Sequence, residues 1–258
     1  MTMWHVSTLG PEQAEPIVFL HGAGYTGAMW REITGRLSDM RTIVPDLPGH
    51  GRSIQAPFVS FEAAADALAE LIGQKAAGGP VHLVGVSLGS YIGFRLIQRH
   101  PGLVARAVLS GFHVIAMPRP VLMRLLGDVM SPLAATAWFR RRMARSLGVP
   151  DDLLGLDGSD VPRVSARALR AANRGAVDFR APEGLSRIRT PVLAVAGERE
   201  HATIVTSLGV LEREMPNCVA RVAPGLGHAW CAEDPDLFAA TVRAWTGDER
   251  LPAALTPA

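Results

Sequence analysis

Short runs of consecutive apolar residues, each closed by glycine, proline or a polar turn residue, recur along the chain and alternate with longer stretches whose apolar positions fall three and four apart. The short runs read as strands buried on both faces and the longer stretches as amphipathic helices. That alternation predicts an α/β fold with a mostly parallel central sheet of about seven or eight strands flanked by helices. Candidate strands are residues 4–9, 17–20, 41–45, 81–86, 105–110, 191–197 and 218–223. Ser60, ahead of Phe61, Ala65, Leu68 and Leu71 or Ile72, predicts a capped helix closed by Gly78 and Gly79. Asp234 followed by Pro235 opens another through Leu237, Phe238, Val242 and Trp245, placed to cover the last strand.

The strand rhythm stops between Ser110 and Pro191, a gap of roughly 80 residues where such units use 2 to 6. An insertion with its own helices is expected there. Met117, Val121, Leu125 and Val129 fall four apart with Arg124 and Asp128 on the opposite side, which predicts one amphipathic helix. Further helical pieces lie around 134–148 and 164–173. The organisation expected is a core over 1–111 and 183–247, an insertion over 112–182 and a flexible tail over 248–258.

Composition narrows the class. With 258 residues, 48% hydrophobic and 19% charged, the chain can bury the core of one α/β domain. No apolar stretch approaches the ~20 residues of a membrane span, and the opening residues lack the basic start and apolar run of a secretory signal, so a cytoplasmic protein is expected. Cys218 and Cys231 form neither a disulfide framework nor a metal-ligand spacing, and are expected to be reduced with no metal bound. A net charge of +2, with no basic stripe interleaved with aromatics, argues against nucleic acid as a partner.

The chemistry centres on "VHLVGVSLGSYIG", residues 81–93, where an apolar strand runs into Gly85, Val86, Ser87, Leu88 and Gly89 and a helix-like segment leads away. A strand, a tight turn and a helix are the setting in which a serine hydroxyl stands exposed above a sheet at a helix N-terminus, where the amides favour negative charge. A serine needs a base and a group to orient it. His228, between the last strand and the last helix in "GLGHAW", is the histidine a loop would deliver to the carboxyl edge of the sheet. His5, His82, His100 and His113 have settings that suit structural roles. The strand "PVLAVAG" is followed by Glu198, Arg199 and Glu200, so a carboxylate is at hand, but the residues alone leave open which one serves.

In order and spacing, "FLHGAG" (19–24), "DLPGHGRS" (46–53), "GVSLGS" (85–90), "PVLAVAGERE" (191–200) and "GLGHAW" (225–230) resemble the α/β-hydrolase family, over nearly the whole chain except about 112–182. The resemblance implies a serine hydrolase with a helical cap. It places Ser87 as nucleophile, His228 as base and, matching Gly197 to the family's GxxD pattern, Glu200 rather than Glu198 as the acid, a departure from the usual aspartate. It assigns the oxyanion hole to the amides of Ala23 and Leu88, with Gly24 as the alternative to Ala23. His21, Asp46, His50 and Ser53 are expected to brace loops. The cap would supply pocket residues from Leu122, Met123, Leu126, Met130, Trp138 and Phe139, with Gly24 and Trp230 also at the pocket. The arginines of "WFRRRMARS" are expected to be a solvated face.

The function so implied is cleavage of a small carboxylic ester or lactone through an acyl-enzyme, with no cofactor, no metal and a small acyl molecule as the partner. A carbon–carbon bond hydrolase, a thioesterase, an acyltransferase or a perhydrolase could use the same residues. A non-catalytic ligand-binding receptor on the same fold is the rival of another class.

Overall fold

In a computed structural model, residues 4–76, 79–146, 163–181 and 183–258 are described. Eight strands form one sheet in the order β1-β3-β2-β4-β5-β6-β7-β8. They are β1 (Val6–Leu9), β2 (Pro16–Leu20), β3 (Arg41–Pro45), β4 (Val81–Val86), β5 (Val104–Ser110), β6 (Val192–Gly197), β7 (Cys218–Ala223) and β8 (Thr256–Pro257). β2 to β7 run parallel; β1 against β3 and β8 against β7 are antiparallel.

The central strands are apolar on both faces because both are covered. In β2, Val18 and Leu20 join a core cluster with helices α2 (Phe61–Lys75), α3 (Leu88–Arg99) and α7 (Ala202–Glu214). Ile17 and Phe19 point the other way, into a cluster with α1 (Arg31–Arg36), the short α8 (Trp230–Glu233) and α9 (Pro235–Thr246). The same alternation runs through β4, β5 and β6, so each strand contributes to two layers. The Ser60 cap is formed, its hydroxyl accepting the Ala63 amide at 3.1 Å, and Asp234 accepts the Leu237 amide at 2.9 Å. α2 ends at Lys75, before the predicted glycine stop; Gly78 lies outside the described residues.

Between β5 and β6 the chain forms α4 (Pro120–Ala134), α5 (Ala137–Ser146) and α6 (Ala166–Asp178), the helices expected of the insertion. Residues 147–162 of this stretch fall outside the described ones. α4 is amphipathic but oriented against expectation. Val121, Leu125 and Val129 are 63%, 59% and 75% exposed, while Arg124 meets Asp178, and Asp128 meets Arg170 and Arg174. The polar positions of α4 face α6 in surface ion pairs, and the stripe of Val121, Leu125 and Val129 is left outward.

The expected loose tail is instead part of the sheet. Leu255 is buried beside Trp245, and Thr256 and Pro257 pair with Val222 and Arg221 of β7. Both cysteines are free and buried, and among the described residues no helix is long and apolar enough to cross a membrane.

Candidate active site

Ser87 sits between β4 and α3 with φ 53° and ψ −114°, a backbone conformation an L-residue adopts only under constraint. The constraint is close packing. A Cβ on Gly85 would come within 2.8 Å of the Gly89 backbone, and a Cβ on Gly89 would overlap the carbonyl of Leu20. Ser90 braces the same turn. Its hydroxyl lies 2.8 Å from the Gly85 carbonyl and 2.7 Å from that of Ser110, and it accepts the Ser110 amide at 2.9 Å. This role escaped the sequence reading, although a serine one turn into the helix after a tight elbow is a signal that could have been used.

The neighbouring strand brings the second group. The Ser87 amide donates to Ser110 O at 2.8 Å, and at the next residue, Gly111, the chain has φ +69°. A Cβ at 111 would lie 2.8 Å from His228 Cε1 and 3.3 Å from Glu200 Oε1. The imidazole thus rests on the backbone that follows Ser87's own hydrogen-bond partner. Among the described residues no hydrogen bond joins the Ser87 hydroxyl to His228; such bonds are often loose before a substrate binds.

His228 Nδ1 lies 2.8 Å from Glu200 Oε2, with the Glu200 side chain 1% exposed and the His228 side chain 43% exposed. Glu198 goes elsewhere, accepting the Gly225 amide at 2.7 Å. The loops after β6 and β7 are zipped together around this pair. Arg199 N donates to Leu226 O at 2.9 Å, and Glu233 accepts the Gly227 amide at 2.9 Å while holding Arg199 at 2.6 Å. Burial opposes protonation of His228, but the hydrogen bond and charge of Glu200 outweigh it and hold the imidazole above its ordinary 6.5.

The loop after β2 faces the serine from the other side. A Cβ on Gly22 would lie 3.7 Å from Ser87 Cβ. Two buried histidines tie this loop to residues 46–53 in a reciprocal arrangement. His21 donates from Nδ1 to Gly22 O and accepts the Leu47 amide on Nε2, both at 2.8 Å. His50 donates from Nδ1 to Pro48 O at 2.9 Å and accepts the Gly24 amide on Nε2 at 3.2 Å. Burial pushes His21 down to about 4; burial, with the neighbouring His21 ring, pushes His50 down to about 3. Both rings are therefore neutral near pH 7. Asp46 accepts the amides of Gly27 and Arg52, and Ser53 accepts that of His5. The Gly24 amide is committed to His50, whereas the amides of Ala23 and Leu88, which line the cavity beside Ser87, make no hydrogen bond among the described residues.

A cavity of about 360 Å³ opens over the serine, lined by Ser87, Leu88, Ala23, Gly24, Tyr25 and Tyr91 from the sheet side. From the inserted helices it takes Met130 and Phe139, as the sequence suggested, and also Asn173, which the sequence did not single out. Leu122, Leu126 and Trp138 do not line it; they are 44%, 49% and 65% exposed. Met123 is half-buried outside the cavity wall. Trp230 is fully buried in the core, its indole N–H donating to Ser110 Oγ at 2.7 Å. Arg140, expected on a solvated face, lines the cavity and donates weakly to Gly24 O at 3.4 Å.

The model of the alpha/beta hydrolase family matches residues 17–241 of the chain. The chain belongs to that family. Among curated members it is 27% identical over 252 residues to an "AB hydrolase superfamily protein" of Gibberella zeae, covering 92% of this chain and 82% of that protein. It is 26% identical over 247 residues to the pimeloyl-[acyl-carrier protein] methyl ester esterase of Neisseria meningitidis serogroup C, covering 90% and 94%. Among solved structures, an esterase from Thermogutta terrifontis shares the alpha/beta hydrolase fold with a TM-score of 0.77 and 22% identity, over 95% of this chain and 93% of that one.

Proposed function

We propose that this alpha/beta hydrolase cleaves carboxylic esters through an acyl-enzyme formed on Ser87. The reading is carried by one observation, the Glu200–His228 pair at 2.8 Å held against Gly111, one residue beyond the carbonyl that accepts the Ser87 amide. It is supported by the relatives named as esterases and by the uncommitted amides of Ala23 and Leu88 beside the serine.

Substrate binding draws the Ser87 hydroxyl into a hydrogen bond with His228 Nε2. As Oγ attacks the ester carbonyl, its proton passes to Nε2, and Glu200 accepts the Nδ1–H and balances the imidazolium. The oxyanion takes hydrogen bonds from the amides of Leu88, at the first turn of α3, and Ala23. Collapse of the tetrahedral intermediate breaks the carbon–oxygen bond, and His228 returns the proton to the departing alcohol. Water then attacks the acyl-enzyme with His228 again as base, releasing the acid and restoring Ser87. The inserted helices roof the serine and keep the acyl-enzyme in an apolar cavity, which fits a small acyl group as substrate. These steps draw on side chains and backbone amides alone.

The test is labelling by a fluorophosphonate probe alongside turnover of short p-nitrophenyl esters. Labelling and turnover are expected in the unaltered protein, and both should vanish in Ser87→Ala. A correctly folded, unlabelled and inactive unaltered protein would favour the ligand-binding alternative.

A further inference from the structure

From Pro120 to Ala134 every exposed residue of α4 is apolar. Val121, Leu122, Leu125, Leu126, Val129 and Leu133 recur at steps of one, three and four and form a double row along a helix of about 22 Å. The two charged residues of α4, Arg124 and Asp128, are engaged by α6, so no charge interrupts the outer row. Trp138, at the start of α5, adds an exposed indole. Of the large apolar side chains exposed among the described residues, only Leu9 and Val59 lie outside these two helices. A contiguous apolar face of this length marks an interaction site.

Charge points to what covers it. Residues 112–182 hold eleven arginines, no lysine and six acidic residues, for a charge of +5; the whole chain carries +2, so the rest of it carries −3. α5 has four arginines and no acid in its ten residues, with Arg142 and Arg145 exposed, and an exposed Arg119 precedes α4. A second copy docked through the same face would set one +5 surface against another. An anionic lipid surface complements it instead: the apolar row enters the acyl boundary, the arginines meet phosphates, and the indole sits at headgroup level.

The face also runs into the catalytic cavity. Met130 on α4 and Met143 on α5 are exposed and at the same time line the cavity over Ser87, joining the outer row to Phe139 and Leu88 inside. An apolar opening beside an apolar docking face suits a ligand that arrives from an apolar phase. We infer that α4 and α5 dock the protein on an anionic lipid bilayer, without spanning it, and that esters dissolved in the bilayer enter the cavity past Met130 and Met143. The docking stands on the surface alone. The delivery rests on the reading of Ser87 as an ester-cleaving nucleophile and names its substrate class, amphiphilic esters.

The experiment is co-sedimentation of the full chain, at low salt, with vesicles of phosphatidylcholine alone or mixed with phosphatidylglycerol. Partition onto the mixed, anionic vesicles should be at least about tenfold stronger, since each arginine near such a surface contributes about fivefold. The double variant Leu125→Asp with Val129→Asp, on the exposed row and outside the cavity wall, should weaken that partition at least about tenfold, the effect of keeping one leucine out of an apolar phase. Its turnover of p-nitrophenyl acetate in buffer should be unchanged. Turnover of p-nitrophenyl octanoate carried in the vesicles should follow the fraction of protein bound.

No sedimentation of the unaltered protein with anionic vesicles, or equal sedimentation with both kinds, would overturn the docking, and this comparison needs no variant. Full retention of partition in the double variant would overturn it too. So would a dimer in vesicle-free buffer that the double variant dissociates, which would make the row a contact between copies. Octanoate turnover indifferent to the fraction bound would overturn the delivery. A protein that sediments with anionic vesicles but takes no fluorophosphonate label and cleaves no ester would overturn the ester-hydrolase reading and the delivery with it, and leave the docking standing.

Discussion

His50 accepts the amide of Gly24 on its ring Nε2 at 3.2 Å, and that bond decides which backbone donors remain beside Ser87. Without it, the Gly24 N–H would be free to compete with that of Ala23 for the oxyanion of the proposed reaction, although His21 would still tie the loop to Leu47. The His50 ring can accept that amide only as the neutral Nδ1–H tautomer, which its bond to Pro48 O enforces. Replacing His50 by alanine should lower kcat by about 10–100-fold with little change in KM, because the misplaced amide is needed chiefly in the transition state. His50→Gln, whose side-chain oxygen can accept the same amide, should recover part of kcat. Equal losses in both variants, or a loss confined to KM, would count against this positioning role.

Gly111 is the floor on which His228 rests. With φ +69° and a hypothetical Cβ 2.8 Å from His228 Cε1, Gly111→Ala combines backbone strain of about 1 kcal/mol with displacement of the ring. Gly102 separates the two effects, since its φ is +88° but nothing lies within 4 Å of an added Cβ. Gly102→Ala should lower the melting temperature slightly and leave ester turnover unchanged. Gly111→Ala should lower turnover at least about 100-fold, as a 1 Å misplacement of a reacting group does. Matching kinetics in the two variants would mean the imidazole is not held by this contact.

Much of this arrangement is legible in the sequence because it is local. Buried parallel strands must be continuous apolar runs, so "VHLVGV" announced β4, and a glycine on either side of Ser87 announced the turn. What escaped depends on partners distant in the chain. The faces of α4 depend on its neighbours, with Arg124 meeting Asp178 and Asp128 meeting Arg170 and Arg174 on α6, so periodicity found the helix but not which side faces solvent, and Leu122 and Leu126, expected at the pocket from the family's lid, are exposed. The edge strand at Thr256–Pro257 is too short to carry a period and exists only because β7 offers it a free edge. Glu198 and Glu200 flank one turn, and the residues alone leave the choice open; the resemblance favours Glu200, which pairs with His228, while Glu198 accepts the Gly225 amide.

The two buried histidines also predict how the fold responds to acid. Their folded-state pKa values, about 4 for His21 and about 3 for His50, lie below the 6.5 of the unfolded chain. As pH falls through 6.5 the unfolded state takes up a proton that the folded state refuses, so stability drops until the folded pKa is reached. Each ring contributes a slope of about 1.4 kcal/mol per pH unit at its steepest. His50→Gln should therefore flatten the fall in urea-unfolding stability between pH 6 and pH 4 by about that amount per unit, measured against the unaltered protein. An unchanged slope would place the acid sensitivity in other groups.

For His228 the sign is reversed, and in the proposed mechanism it bears on activity. The base must be neutral in the free enzyme, so kcat/KM should fall as pH drops through a His228 pKa lying above 6.5. Glu200 is the cause of the elevation, since burial alone would lower the value. In Glu200→Gln the hydrogen bond to Nδ1 persists in weaker form while the charge is lost, and the acid limb should move to lower pH. The same change should reduce kcat by orders of magnitude, because the imidazolium formed during acylation is no longer balanced. Glu198→Gln, which touches only the Gly225 amide, should shift neither the limb nor kcat. Profiles of kcat/KM from pH 5 to 9 on one p-nitrophenyl ester distinguish the outcomes: an acid limb that stays in place in Glu200→Gln would mean that another group sets the ionisation of His228.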